Sequence, residues 1–142
     1  MSILKTTITE EITIRGVQRV VTNEMTIDNV SEIDYRTVKI PTSEIEVINI
    51  DPLSNGAGQF GSAVRYIRIS HTGSTNGIVT LRVLGDNQEY FVRLDSYESF
   101  LLGNAYMDAN DSGNESPSFD SIKSIKATST IADTVLEYFV IV

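Results

Sequence analysis

The sequence predicts an all-β protein: an antiparallel β-sandwich, jelly-roll-like, preceded by an extended N-terminal β arm. Three observations lead there. The chain of 142 residues is rich in Ile, Val and Thr and holds no long tract of helix-forming Ala, Leu, Glu and Lys, a bias that suits pleated strands. Apolar and polar residues alternate in short runs, the period-2 pattern of a strand with one face on a core. Gly, Asn, Asp and Ser interrupt these runs at roughly the 8–12-residue spacing of sandwiches and barrels. About ten candidate strands result, close to the eight of a jelly roll.

The elements follow in order. "ITEEITIR" places Ile8, Ile12 and Ile14 on one face, with Thr and charged residues on the other. Gly16 supplies a turn, and "VQRVVTNEMTID" is a second extended run. "NVSE" makes a polar break before "IDYRTVKI", which Pro41 closes because it has no N–H to continue a ladder. In "EIEVINI" the parity changes: Ile45 and Val47 face one way, Ile48 and Ile50 the other. Turn chemistry then fills "DPLSNGAGQFGSA". "VRYIRISH" sets Ile67 and Ile69 against Arg65, Tyr66 and Arg68, and "IVTLRVLG" sets Val79, Leu81 and Val83 on one face. "EYFVRLD" and "ESFLLG" follow, then the loop "NAYMDANDSGNESPSF", then "SIKSIKA" and "TVLEYFVIV". "SFDSIKSIKA" also carries Phe119, Ile122, Ile125 and Lys126 near helical spacing; a strand is the expectation and a short helix the alternative.

The composition break at residues 51–63 sets the expected organisation. Residues 1–50 read as an N-terminal β arm or hairpin layer, 51–63 as a Gly-rich connector, and 64–142 as the β-sandwich core. The whole is one structural domain, since about 50 residues alone bury little.

Composition also excludes function classes. There is no Cys, hence no disulfide framework, thiolate nucleophile or Cys-based metal site. The formal net charge of −8 disfavours nucleic-acid binding, which relies on Lys and Arg against phosphate. "MSILKTTITEE" has no signal-peptide pattern, and no apolar run approaches the roughly 20 residues that span a bilayer. The expectation is a soluble protein made in the cytoplasm, with no membrane and no nucleic-acid partner.

The motifs that could carry chemistry are few. "NGAGQFGS" holds Gly56, Gly58 and Gly61 in the spacing G-x-G-x-x-G. A dinucleotide fingerprint needs a helix after the glycines, with its N-terminal amides on the pyrophosphate. Here "SAVRYIRIS" follows, which reads as a strand, so a connector is expected and no cofactor. "DANDSG" places Asp108, Asn110, Ser112 and Gly113 like the first half of a calcium loop. Phe119 stands where the bidentate Glu belongs; Asp111, Glu115 and Asp120 could add carboxylates, but a solvated acidic loop is expected and no metal. His71 is the only histidine and has no Asp neighbour in sequence to make it a general base. No catalytic residue is assigned, and the chain is not expected to be an enzyme. The sequons at Asn29-Val-Ser31, Asn110-Asp-Ser112 and Asn114-Glu-Ser116 are read as chance in the absence of a secretory signal.

Arg65, Arg68, Arg82 and Arg93 fall on the solvent parity of three strands. Pairing of those strands would align them as a basic stripe; cross-strand salt bridges to Glu89, Asp86 or Asp95 are the expected use.

"TTITEEITIRGVQRVVTNEMTIDNVSEIDYRTVKIPTSEIEVINI", "VRYIRISHTGSTNGIVTLRVLGDNQEYFVRLDSYESFLLGN" and "SIKSIKATSTIADTVLEYFVIV" together resemble small virion structural proteins of tailed bacteriophages, of the marine and cyanobacterial phage type. The resemblance covers most of the chain and brings no catalytic residues. It implies a viral capsid decoration or cement protein, located in the virion after assembly in the host cytoplasm. Its partners would be the major capsid protein or other virion proteins, and it would form a homo-oligomer, a trimer suiting capsid threefold positions. Residues 1–40 are the expected site of inter-subunit strand pairing, because long Thr-rich edges invite a partner. The alternative is a neck, tail or fibre component holding glycan at Tyr97, Tyr106 and the loop over residues 108–116.

Overall fold

The computed structural model describes residues 2–50, 64–73, 77–103, 106–107 and 120–142. The described residues form twelve strands: β1 (Ile3–Ile14), β2 (Val17–Asp28), β3 (Ile33–Ile40), β4 (Ile45–Asn49), β5 (Tyr66–His71), β6 (Val79–Leu84), β7 (Glu89–Leu94), β8 (Ser99–Leu102), β9 (Tyr106–Met107), β10 (Asp120–Ser121), β11 (Ser124–Ser129) and β12 (Thr134–Ile141). Every pairing is antiparallel. Among the described residues there is no helix, and "SIKSIKA" is strand from Ser124 onward.

The chain divides into two compact units, Met1–Glu32 and Ile33–Val142. In the second unit β3 pairs β12, β4 pairs β11, β5 pairs β8 and β6 pairs β7. These partners nest, as in one long hairpin of doubled strands. Two further pairings, β12 with β5 and β11 with β6, wind that doubled ribbon into two four-stranded sheets. Their orders are β3-β12-β5-β8 and β4-β11-β6-β7, which is the jelly-roll arrangement.

The alternation read from sequence becomes the core. β6 buries Val79, Leu81 and Val83 and leaves Thr80, Arg82 and Leu84 half-buried on the other face. β12 turns Leu136, Tyr138 and Val140 inward in the same way. Ile40, Ile67 and Ile69 from one sheet meet Ile48, Leu94 and Ile125 from the other in a single apolar cluster. Each such side chain contributes roughly 1.5–3 kcal/mol by leaving water.

Two expectations about placement change. β3 and β4 are strands of the sandwich, with β3 on the edge of one sheet and β4 on the edge of the other; the N-terminal unit ends at Glu32 instead of residue 50. Hydrogen bonding to β12 and β11, far on in the chain, recruits them, and nothing local announces those partners. The parity change at Ile45-Val47 and Ile48-Ile50 is a β-bulge. The register against β11 slips between Ile125 and Lys126, so Ile48 opposes Ile125 while Glu46 opposes Lys126. Val47 is the extra residue, and both Val47 and Ile48 reach the core.

The turn between β11 and β12 is held from inside. The Ser129 hydroxyl donates to Thr134 Oγ1 at 2.7 Å, and the Thr134 hydroxyl donates to the Ile131 carbonyl at 2.7 Å. Gly77 packs directly on this pair: a Cβ there would lie 2.6 Å from Thr134 Oγ1.

Candidate functional site

The first unit is a two-stranded ribbon. β1 and β2 pair over their full length, from Ile3 opposite Asp28 to Ile14 opposite Val17. Arg15 (φ 51°) and Gly16 (φ 79°) make the tight connection. Positive φ at both central residues is the type I′ geometry, whose twist matches that of the strands it joins. The base is closed by the Val30 N–H donating to the Ser2 carbonyl at 3.0 Å.

Register assigns the two faces, since residues opposite one another point to the same side. One face carries Leu4 with Ile27, Thr6 with Met25, Ile8 with Asn23, Glu10 with Val21, Ile12 with Arg19, and Ile14 with Val17. The expectation that Ile8, Ile12 and Ile14 share a face holds, and β2 adds apolar residues to it. The opposite face is polar apart from Ile3 and Val20, and several of its groups pair across the strands. Lys5 Nζ lies 2.9 Å from Glu24, the Gln18 amide donates to Glu11, and Thr9 and Thr22 hydroxyls meet at 3.5 Å.

The apolar face has no such closure. Toward the tip, Ile8 is 45 % exposed, Ile12, Ile14 and Val21 are each 54 %, and Val17 is 60 %. Among the described residues Glu10 and Arg19, the two charges on that face, have no ion-pair or hydrogen-bond partner. A two-stranded hairpin alone is at best marginally stable in water, and an apolar patch beyond a few hundred Å² marks a contact surface. The signal was legible as "ITEEITIR"; what β2 contributed required the register.

The other candidates resolve differently. The four arginines form no common stripe: β5, with Arg68, lies in one sheet, while β6 and β7, with Arg82 and Arg93, lie in the other. β5 and β6, consecutive in sequence, fall in different sheets. The cross-strand salt-bridge expectation holds for Arg82, 2.6 Å from Glu89 on the neighbouring β7; Arg93 pairs locally instead, 2.9 Å from Asp95 just beyond the end of its own strand. The Glu89 hydrogen bond raises the Arg82 pKa further above its ordinary value. Arg68 instead pairs with Glu137 at 3.0 Å and lies over the Phe139 ring at 5.7 Å. Glu137 also accepts from the Tyr35 hydroxyl, which raises the Tyr35 pKa. Tyr35, Glu137 and Arg68 thus tie β3, β12 and β5 across one outer face.

His71 points into the sandwich, fully buried. Among the described residues neither ring nitrogen has a hydrogen-bond partner, and no group of three or more His, Asp or Glu is placed to hold a metal ion. Tyr97 is 74 % exposed and left-handed (φ 69°) in the turn after β7. The glycine motif at Gly56, Gly58 and Gly61, the acidic loop over residues 108–116 and Phe119 lie outside the described residues. The chain after the glycines is strand by Tyr66, as expected. No protein-family model, curated protein or solved structure matches this chain.

Proposed function

We propose that the chain is a non-enzymatic structural protein of a tailed-phage virion, a capsid decoration or cement protein. The β1–β2 ribbon binds neighbouring subunits of the particle. One observation carries this reading: a ribbon of 24 paired residues pairs charges on its polar face and leaves Ile8, Ile12, Ile14, Val17 and Val21 exposed on the other. Such a face is not useful to an isolated monomer, and contact area is the product it offers. The sequence resemblance to small virion proteins supplies the setting. The acidic chain, at −8, suits a protein partner and not the packaged genome.

The test is the particle itself. Gradient-purified virions should contain the chain by mass spectrometry, and cryo-EM should place repeated copies over the shell. A variant lacking residues 2–32 should keep the folded body and lose particle binding. Absence of the chain from purified particles, or undiminished binding without the ribbon, sinks the proposal.

A second reading, a tail or fibre component that holds glycan, draws on Tyr97. An aromatic ring held this exposed in a left-handed turn is placed as a sugar-stacking residue would be. A glycan array with the parent and Tyr97→Ala chains decides it: no glycan retained by the parent excludes this reading.

A further inference from the structure

We propose that the apolar face of the β1–β2 ribbon is covered by the same face of a second copy of this chain. The inference deepens the reading of the ribbon as a contact element and rests on it.

Charge placement singles out the occupant. Glu10 and Arg19 are of opposite sign, sit on opposite strands, and occupy adjacent rows of the face, Glu10 beside Val21 and Arg19 beside Ile12. When two ribbons lie face to face and parallel, β1 of one copy rests over β2 of the other. Glu10 then approaches the partner strand within one row of that strand's Arg19, roughly 7 Å along the ribbon by strand rise, within the span of the two side chains. Symmetry repeats the contact in reverse, so both charges that lack a described partner find one without any new residue. The polar face offers nothing comparable, since Lys5, Glu24, Glu11 and Gln18 are already paired within the chain. A foreign protein would have to supply both an acid and a base at this spacing; a second copy carries them by construction.

Area agrees. Ile8, Ile12, Ile14, Val17 and Val21 leave on the order of 500 Å² of apolar surface open on one copy, in the upper part of the roughly 300–600 Å² of a monomer's largest patch, which is often functional. Two such faces together reach about 1,000 Å², the size at which a specific interface begins. These five β-branched side chains fall in four adjacent rows, from Ile8 opposite Asn23 to Ile14 opposite Val17.

The experiment is sedimentation equilibrium of the full chain across micromolar concentrations, at low and high salt. The expected mass is twice the 15.7 kDa of one chain. Glu10→Arg and Arg19→Glu, each placing like charges together, should each weaken association by about tenfold or more. The double exchange Glu10→Arg with Arg19→Glu should restore it to near the parent value, as pairing between copies requires. Both positions are solvent-exposed, and circular dichroism checks that the variants keep their strands. A single-chain mass at all concentrations, or single reversals without effect, or no rescue by the exchange, overturns the proposal. Particle binding is scored separately. A monomer that still binds virions defeats self-pairing and leaves the virion role intact, whereas a multimer absent from virions does the opposite.

Discussion

Ile8, Ile12 and Ile14 stand on one face of the ribbon, each about half exposed, and their joint replacement by Thr separates contact from folding. Thr keeps the β-branch and the strand preference, so the ribbon should persist while its apolar face is broken. Each Ile presents about 100 Å² to solvent, worth about 2.5 kcal/mol if fully covered at 25 cal/mol per Å². Thr retains less than half of that apolar surface, so each position loses about 1 kcal/mol or more per copy. Over three positions in two copies the loss is about 6 kcal/mol, roughly four orders of magnitude in a dissociation constant. The body, a separate compact unit beginning at Ile33, should melt at the parent temperature. Sedimentation equilibrium measures the first effect and thermal circular dichroism the second. If the triple variant associates like the parent, the apolar face is not the contact surface. If its body unfolds early, the ribbon was stabilising the body instead.

Three further outcomes follow from the jelly roll. Gly77→Ala drives a methyl to within 2.6 Å of Thr134 Oγ1 against a buried hydroxyl pair, and should lower stability by about 1–3 kcal/mol in urea unfolding; an unchanged midpoint would show that this turn yields freely. His71→Leu replaces a buried ring without described hydrogen bonds by an apolar side chain and should raise stability by about 1 kcal/mol; a loss above that would reveal a polar partner for the ring. Burial raises the Tyr90 pKa above 10.0. The native state therefore holds this proton after the unfolded chain has released it, and stability is full below pH 10 and falls as pH rises through the native value. Tyr90→Phe should flatten that alkaline slope in pH-jump unfolding; an identical slope would place the titration elsewhere.

Particular residues show how far local pattern reaches. "IDYRTVKI" closed by Pro41 coincides with β3, Ile33–Ile40, because a strand's ends are written in its own residues. Val79, Leu81 and Val83 share a buried face because side-chain alternation is intrinsic to a pleated chain. Ile45, Val47, Ile48 and Ile50 carried the mark of a bulge in their changed parity, though not its reading. That requires knowing that Ile125 and Lys126 stand opposite. Of the proposed contact surface, half was legible: the Ile8, Ile12 and Ile14 face, and the turn at Gly16. The apolar partners Val17, Val21, Met25 and Ile27 join that face only through the register against β1.

The strands themselves, their antiparallel all-β character and the hairpin at the N-terminus are consequences of short-range chemistry. Alternation, β-branching and a tight turn act over a few residues, so a linear string suffices to record them. Partner choice is of another kind. β12 sits between β3 and β5, and β11 between β4 and β6, and these adjacencies join segments far apart in the chain. They parted Arg68 from Arg82 and Arg93 and took β3 and β4 out of the arm into the body. Strand edges present the same backbone donors and acceptors whatever the residue. Which edges meet is therefore set by how the two apolar faces close over one core, a property of the assembled sheets and of no single segment.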